Sequence, residues 1–213
     1  MQGHYICFGA ELMDKADIKL IVGKTGSGKT CKAVKIIEDH RRVIMFDTQG
    51  KDYTDGVMFY DMAELKRFWL KVYRGNFRLI YRPLDPLVEF EQVCRLAFLC
   101  GNLTIVAEEL PSLCDSHEIN MELRRCIFRG RMSDIIFIGL MQRPIGIHRD
   151  ITSQATEIYV FNIDEPSDVK YFANRIGSNI EEKIRQLEPY QYLHWTAGGG
   201  EIEVGKDDDD QGC

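Results

Sequence analysis

The chain has 213 residues, 45% of them hydrophobic, and a formal net charge of -6 at pH 7. This length suits one α/β domain, which buries roughly 70% of the surface of its unfolded chain and so folds without staples. No apolar run approaches the roughly 20 residues that span a bilayer, and the acidic balance excludes a protein whose whole surface grips nucleic acid, though not one that touches DNA only through a pore.

The amino terminus, Met1 to Tyr5, lacks a basic segment followed by an apolar core, so no export signal is expected and the location is read as cytoplasmic. The seven cysteines include no C-x-x-C pair. Cys94, Cys100 and Cys126 lie in apolar segments and read as small core residues in a reducing compartment. The five histidines are scattered, with no ligand spacing to a cysteine or carboxylate. Residues 4–8 are expected as a short edge strand, followed by an apolar strand, Ile18 to Val22.

That strand runs into Gly23-Lys24-Thr25-Gly26-Ser27-Gly28-Lys29-Thr30, which fits G-x-x-x-x-G-K-[ST] without a mismatch. Backbone N–H groups wrap a phosphate chain only where no side chain intervenes, so Gly23, Gly26 and Gly28 act as backbone. The helix that follows aims its free N–H groups and positive dipole end at the same phosphates. Lys29 supplies a point charge to the β- and γ-phosphates, and the Thr30 hydroxyl is placed to ligate Mg²⁺. Cys31 falls in the first helical turn, beside the nucleotide, as a filler residue or a low-pKa thiol. The chain is therefore expected to bind a nucleoside triphosphate.

Arg42 to Asp47 is the next strand, ending in Thr48-Gln49-Gly50, so Asp47 sits at the carboxyl end of a parallel strand, where ligands bind in open sheets. Asp47 to Gly50 also fits the D-x-x-G of GTPases, but no N-K-x-D motif occurs in the chain, and GTP is discounted. The spacing predicts helices over 63–73 and 88–100, with a strand, Phe77 to Tyr81, between them. The strand starting at Leu103 then runs into Glu108 and Glu109. Carboxylates at the end of a buried strand are costly unless they are used. Glu108 is positioned to hold Mg²⁺ through its water shell, and Glu109 to orient and polarise the water that attacks the γ-phosphate.

A helix over Met121–Arg131 carries Arg124, Arg125, Arg129 and Arg131, and leads into a strand over 134–141 that ends in Gln142-Arg143-Pro144. A polar side chain at that tip, beside the phosphate-loop strand, can sense the γ-phosphate. A last parallel strand is expected over 157–161 and a helix over 167–176 capped by Ser167, then a β-hairpin of 190–195 and 201–204. Residues 1–205 are thus expected to form one domain, with 206–213, including Asp207 to Asp210, as a disordered acidic tail.

The order of these landmarks resembles the FtsK/HerA superfamily of DNA-pumping ATPases, and within it the small packaging ATPases of tailless and membrane-containing viruses. The resemblance covers residues 18–175. It rests on the phosphate loop, on Asp47-Thr48-Gln49-Gly50, on Leu103 to Glu109, and on Gly130-Arg131 with Met141-Gln142-Arg143-Pro144, similar to the G-R and T-Q-R-P segments of FtsK proteins. It implies an α/β, RecA-like (ASCE) P-loop fold with a mostly parallel central sheet flanked by helices. It also implies a homo-oligomeric ring, pentamer or hexamer, hydrolysing ATP with Mg²⁺ to thread double-stranded DNA, at a viral capsid or portal vertex if the chain packages a genome. Its setting would then be the host cytoplasm or the virion vertex. Gln142 would be a sensor, and Arg131 or Arg129 an arginine finger acting on the neighbouring subunit's nucleotide. Glu108 departs from the family's usual Asp, and flanking domains like those of FtsK and HerA are not expected. The alternatives are a zonula-occludens-toxin-like phage assembly ATPase, which carries a membrane helix, a small-molecule P-loop kinase, and a slowly hydrolysing switch.

Overall fold

The computed structural model describes residues 17–114, 116–177, 180–199 and 202–207. The strand expected over 4–8, the middle of the hairpin turn at 200–201 and residues 208–213 of the expected tail lie outside them.

Among the described residues nine strands form one sheet: β1 (Asp17–Val22), β2 (Arg42–Phe46), β3 (Val57–Phe59), β4 (Phe77–Tyr81), β5 (Leu103–Ala107), β6 (Ile135–Met141), β7 (Glu157–Val160), β8 (Gln191–Thr196) and β9 (Glu203–Lys206). The helices are α1 (Lys29–Ile36), α2 (Met62–Val72), α3 (Pro86–Cys100), α4 (Met121–Arg129), α5 (Arg149–Gln154), α6 (Pro166–Ile176) and α7 (Ile180–Arg185). The sheet order is β3-β4-β2-β5-β6-β1-β7-β8-β9, parallel from β3 to β7, with β8 and β9 antiparallel.

The inner strands are buried on both faces, which is why β5 reads Leu-Thr-Ile-Val-Ala without alternation. Alternate residues still serve different layers. Leu20, Ile44, Phe46, Ile105 and Phe137 face a large core completed by Leu65 and Trp69 of α2, Phe90 and Val93 of α3, Leu123 and Ile127 of α4, and Phe172 of α6. Ile21, Val43, Met45, Val106 and Leu140 face the other side, where Ala33 of α1 and the following Ile37 cover them. Each such fully buried aliphatic side chain contributes roughly 1.5–3 kcal/mol over its exposed state.

Register explains the site. β1 pairs with β6 from Asp17–Ile136 to Val22–Met141 and with β7 from Lys19–Glu157 to Val22–Val160. The carboxyl ends of β1, β5 and β6 therefore lie at one rim of the sheet, and β6 stands between β1 and β5.

Several boundaries differ from expectation. The helix beginning at Met121 stops at Arg129, and Gly130–Ser133 tightens into a 3-10 turn, so Arg131 is not on the helix. α6 begins at Pro166 with Glu165 before it; Ser167 lies inside the helix, where its hydroxyl accepts a hydrogen bond from Arg143. Cys94 and Cys126 are buried core residues, whereas Cys100 is half-buried beside the Arg42 guanidinium. The expected tail starts too early at 206: Lys206 belongs to β9, and Asp207 is only 5% exposed, paired with Lys35 at 3.3 Å and Lys32 at 3.9 Å. Two lysines on α1 hold this carboxylate against the domain.

Candidate active site

The turn from β1 into α1 is shaped by two glycines for different reasons. Gly28 has φ 103°, a left-handed conformation that favours glycine and immediately precedes α1. At Gly23 the constraint is space: a β-carbon would meet Phe161 Cβ and Ser27 Oγ at 2.6 Å. The loop is pinned to its neighbours where Gly23 N–H donates to the Met141 carbonyl (3.2 Å) and Lys24 N–H to that of Asn162 (3.1 Å). Lys29 Nζ donates to the Lys24 carbonyl at 3.0 Å, which folds the ammonium back over the loop. Burial lowers the Lys29 pKa, while the charges of Glu108, Glu109 and Asp52 oppose that shift.

A cavity of about 500 Å³ opens at this point, within the size range of small-molecule sites. Its lining brings together Thr25, Gly26, Gly28, Lys29, Thr30 and Cys31 with Glu108, Glu109 and Gln142, and adds Gln49, Lys51, Asp52 and Tyr190. Gly23, Lys24 and Ser27 form the back of the loop rather than the cavity wall; the Lys24 ammonium points to Asp164 at 3.2 Å. Arg129 and Arg131 are not gathered here. Both are exposed and precede the amino end of β6, at the rim opposite the one where Met141 meets the loop.

The first carboxylate is enclosed. Glu108 is 4% exposed, and its Oε1 accepts hydrogen bonds from Tyr53 Oη (2.7 Å) and Thr30 Oγ1 (3.2 Å). Burial pushes its pKa up to about 7; the Asp52 charge adds to this, and the Tyr53 and Thr30 hydrogen bonds and the Lys29 charge pull it down. A hydroxyl and a carboxylate oxygen already in contact form a donor set suited to a hard divalent cation, and Mg²⁺ fits it. Glu109 differs. The strand ends at Ala107, and Glu109 has φ 50°, a conformation rare for residues other than glycine and common at functional sites. This turn swings its half-buried carboxylate into the cavity, where Gln142 Nε2 donates to Glu109 Oε2 at 3.4 Å.

Three residues that sequence reasoning did not select, Tyr53, Arg82 and Tyr190, contribute here, the first two through Asp47. Asp47 is fully buried and is no ligand group: its carboxylate accepts the Gly50 N–H (2.8 Å) and pairs with Arg82 Nε (2.9 Å). Arg82 Nη2 also donates to the Tyr53 carbonyl at 3.3 Å. Asp47 and Arg82 thus brace the loop that delivers the Tyr53 hydroxyl to Glu108. An aromatic residue in an otherwise polar turn was the available signal for Tyr53. Tyr190, which reaches the cavity from the carboxyl end of the chain, carried no local signal beyond following Pro189.

A phosphate loop at the tip of a strand, with the Gln142 strand inserted between it and the carboxylate strand, defines a P-loop ATPase fold of the RecA-like kind. No family model matches the chain. It is 22% identical over 205 residues to the DNA packaging ATPase P9 of Enterobacteria phage PRD1, across 87% of this chain and 84% of that protein. In structure it is similar to the genome packaging NTPase B204 from Sulfolobus turreted icosahedral virus 2. Against the sulfate complex of that protein the TM-score is 0.76 at 18% identity, covering 93% of this chain and 100% of the other. Against its complex with ATP-gammaS the TM-score is 0.75 at 17% identity, covering 90% and 97%. VirB4 of Thermoanaerobacter pseudethanolicus shares the fold more distantly, with a TM-score of 0.65 at 11% identity over 95% of this chain and 92% of that one.

Proposed function

We propose that this chain is an ATP-hydrolysing motor that drives double-stranded DNA into a viral capsid, working as a ring of identical subunits. The observation that carries the reading is the convergence of Lys29, the Thr30–Glu108 pair and the Glu109–Gln142 pair on one cavity, in a chain related to a packaging ATPase along most of its length.

In this reading the N–H groups at the start of α1, which have no partner within the helix, bind the phosphates together with the Lys29 ammonium. Thr30 and Glu108 would hold Mg²⁺, which supplies charge neutralisation at the β- and γ-phosphate oxygens. Glu109 accepts a hydrogen bond from the attacking water and orients it in line with the γ-phosphorus. Gln142 touches both Glu109 and the space where the γ-phosphate lies, so loss of that phosphate changes its hydrogen bonding. It thereby reports the nucleotide state along β6. Arg131 or Arg129, remote from the cavity of their own chain, reach the γ-phosphate of the neighbouring subunit. No helix among the described residues is long and apolar enough to cross a membrane.

The test is the rate of phosphate release from ATP with and without long double-stranded DNA, together with the mass of the assembly in solution. The motor reading expects DNA to raise the rate and the mass to be that of a closed ring. Hydrolysis indifferent to DNA in an assembled ring would remove the translocase and leave an ATPase of another purpose.

A further inference from the structure

Lys29, Thr30, Glu108, Glu109 and Gln142 account for the phosphate end of the cavity. Tyr190 also lines this cavity and is the one aromatic side chain among the lining residues. Its ring stands against the phosphate loop: a β-carbon on Gly28 would lie 3.2 Å from Tyr190 Cδ1. Tyr190 as a whole is half-buried and lines the cavity.

The backbone at this residue is unusual. Tyr190 has φ 62°, left-handed and costly for a bulky side chain. Glycine or asparagine would adopt it with less strain. The surroundings nevertheless enforce it. Asp207 N–H donates to the Tyr190 carbonyl at 3.1 Å, and the Asp207 carboxylate is paired with Lys35 and Lys32 of α1. The helix that begins at the phosphate loop thus grips the strand that fixes Tyr190 over that loop. A strained aromatic residue, braced from the loop's own helix and turned into a cavity, is arranged for a ligand rather than for the core.

We propose that Tyr190 is the base platform of the site: its ring stacks on the purine of a bound nucleoside triphosphate. The proposal rests on the nucleotide-binding reading of the cavity and adds to it the position and chemistry of base recognition. Stacking uses the π-face that every base has, so the ring contributes affinity without discriminating between bases. Any discrimination falls to polar groups at the base edge.

The experiment is calorimetric titration of the full chain with ATP-gammaS and, separately, with inorganic tripolyphosphate, both with Mg²⁺. It compares wild type, Tyr190→Phe and Tyr190→Asn, and thermal unfolding is followed in parallel. Asn removes the ring while suiting the left-handed backbone, so the expected melting temperature is no lower than that of wild type. Loss of one base–aromatic stack corresponds to about 5- to 150-fold in affinity. Tyr190→Asn should therefore weaken ATP-gammaS by about five-fold or more and leave tripolyphosphate unchanged, with Tyr190→Phe close to wild type for both. Undiminished ATP-gammaS binding by Tyr190→Asn would overturn the platform while leaving the nucleotide site standing. So would an equal loss for both ligands, with or without a lower melting temperature, because the ring would then be supporting the loop. Failure of the wild type to bind either ligand would overturn the nucleotide reading itself, and the platform with it.

Discussion

Glu108 should make the domain less stable as the pH rises, and Glu108→Gln should abolish that dependence. The folded carboxyl holds its proton to a pKa of about 7, against an ordinary value of 4.5. A group whose pKa is raised by folding contributes stability that is fully present below pH 4.5 and is lost progressively as the pH rises to 7. The difference corresponds to about 3 kcal/mol, to order of magnitude. Gln keeps the shape of the side chain, and its carbonyl still accepts from Tyr53 and Thr30, but it does not ionise. The two proteins should therefore unfold at similar urea concentrations at pH 4.5. At pH 8 the variant should be the more resistant, by about 1 M urea or more at the slopes usual for domains. The titrations of other groups appear in both proteins and cancel in the comparison. Magnesium nucleotide should narrow the gap at pH 8, because a cation at Thr30 and Glu108 stabilises the ionised carboxylate in the wild type alone. Parallel stability curves for the two proteins from pH 4.5 to 8 would refute the claim that burial dominates the Glu108 environment.

Glu109→Gln should keep ATP affinity within a few-fold while single-turnover hydrolysis falls by at least 100-fold, since the amide cannot polarise water. A variant that hydrolyses normally would reassign the water-activating role, with Glu108 the next residue to test. For the arginines, Arg131→Ala and Arg129→Ala should each bind ATP normally, and the variant lacking the finger should lose 10³-fold or more in DNA-free hydrolysis, the size of such effects elsewhere. Mixing that variant with Lys29→Ala subunits, which have an intact arginine and a dead loop, should restore part of the rate. Unchanged basal hydrolysis in both arginine variants would dismiss the trans finger.

The parts of the site visible in the sequence are those written within a few residues of one another. Gly23 to Thr30 shows itself because strand, loop and helix are contiguous. Glu108-Glu109 does so because two charges end an apolar run. The parts that escaped depend on folding at a distance. Tyr53 matters only after Asp47 has turned the chain at Gly50 and Arg82 has gripped it from the end of β4. Tyr190 matters only because β8 extends the sheet beside β7 and Asp207 ties back to α1. Short elements also escaped: β3 has 3 residues and α5 and α7 have 6 each, too few for a period to register. At Glu108 the sequence supplied the residue but not its proton, since the pKa follows from enclosure by Tyr53, Thr30 and their neighbours rather than from the adjacent Glu109.

The pairing of β1 has a consequence for how the protein is made. It is the earliest of the described strands to be synthesised, yet both its neighbours, β6 and β7, begin more than a hundred residues later. At a translation rate of about 5–20 residues per second, Ile18, Leu20, Ile21 and Val22 wait on the order of ten seconds for a partner. During that wait the sub-sheet of β2, β4 and β5 with α2 and α3 has what it needs to assemble, but the loop has nothing to lean on: the Met141 and Asn162 carbonyls that hold Gly23 and Lys24 do not yet exist. Nucleotide therefore arrives too late to guide the early stages of folding. It binds a domain whose sheet has already closed around β1, and an abortive chain that stops before β6 presents the signature loop without the capacity to use it.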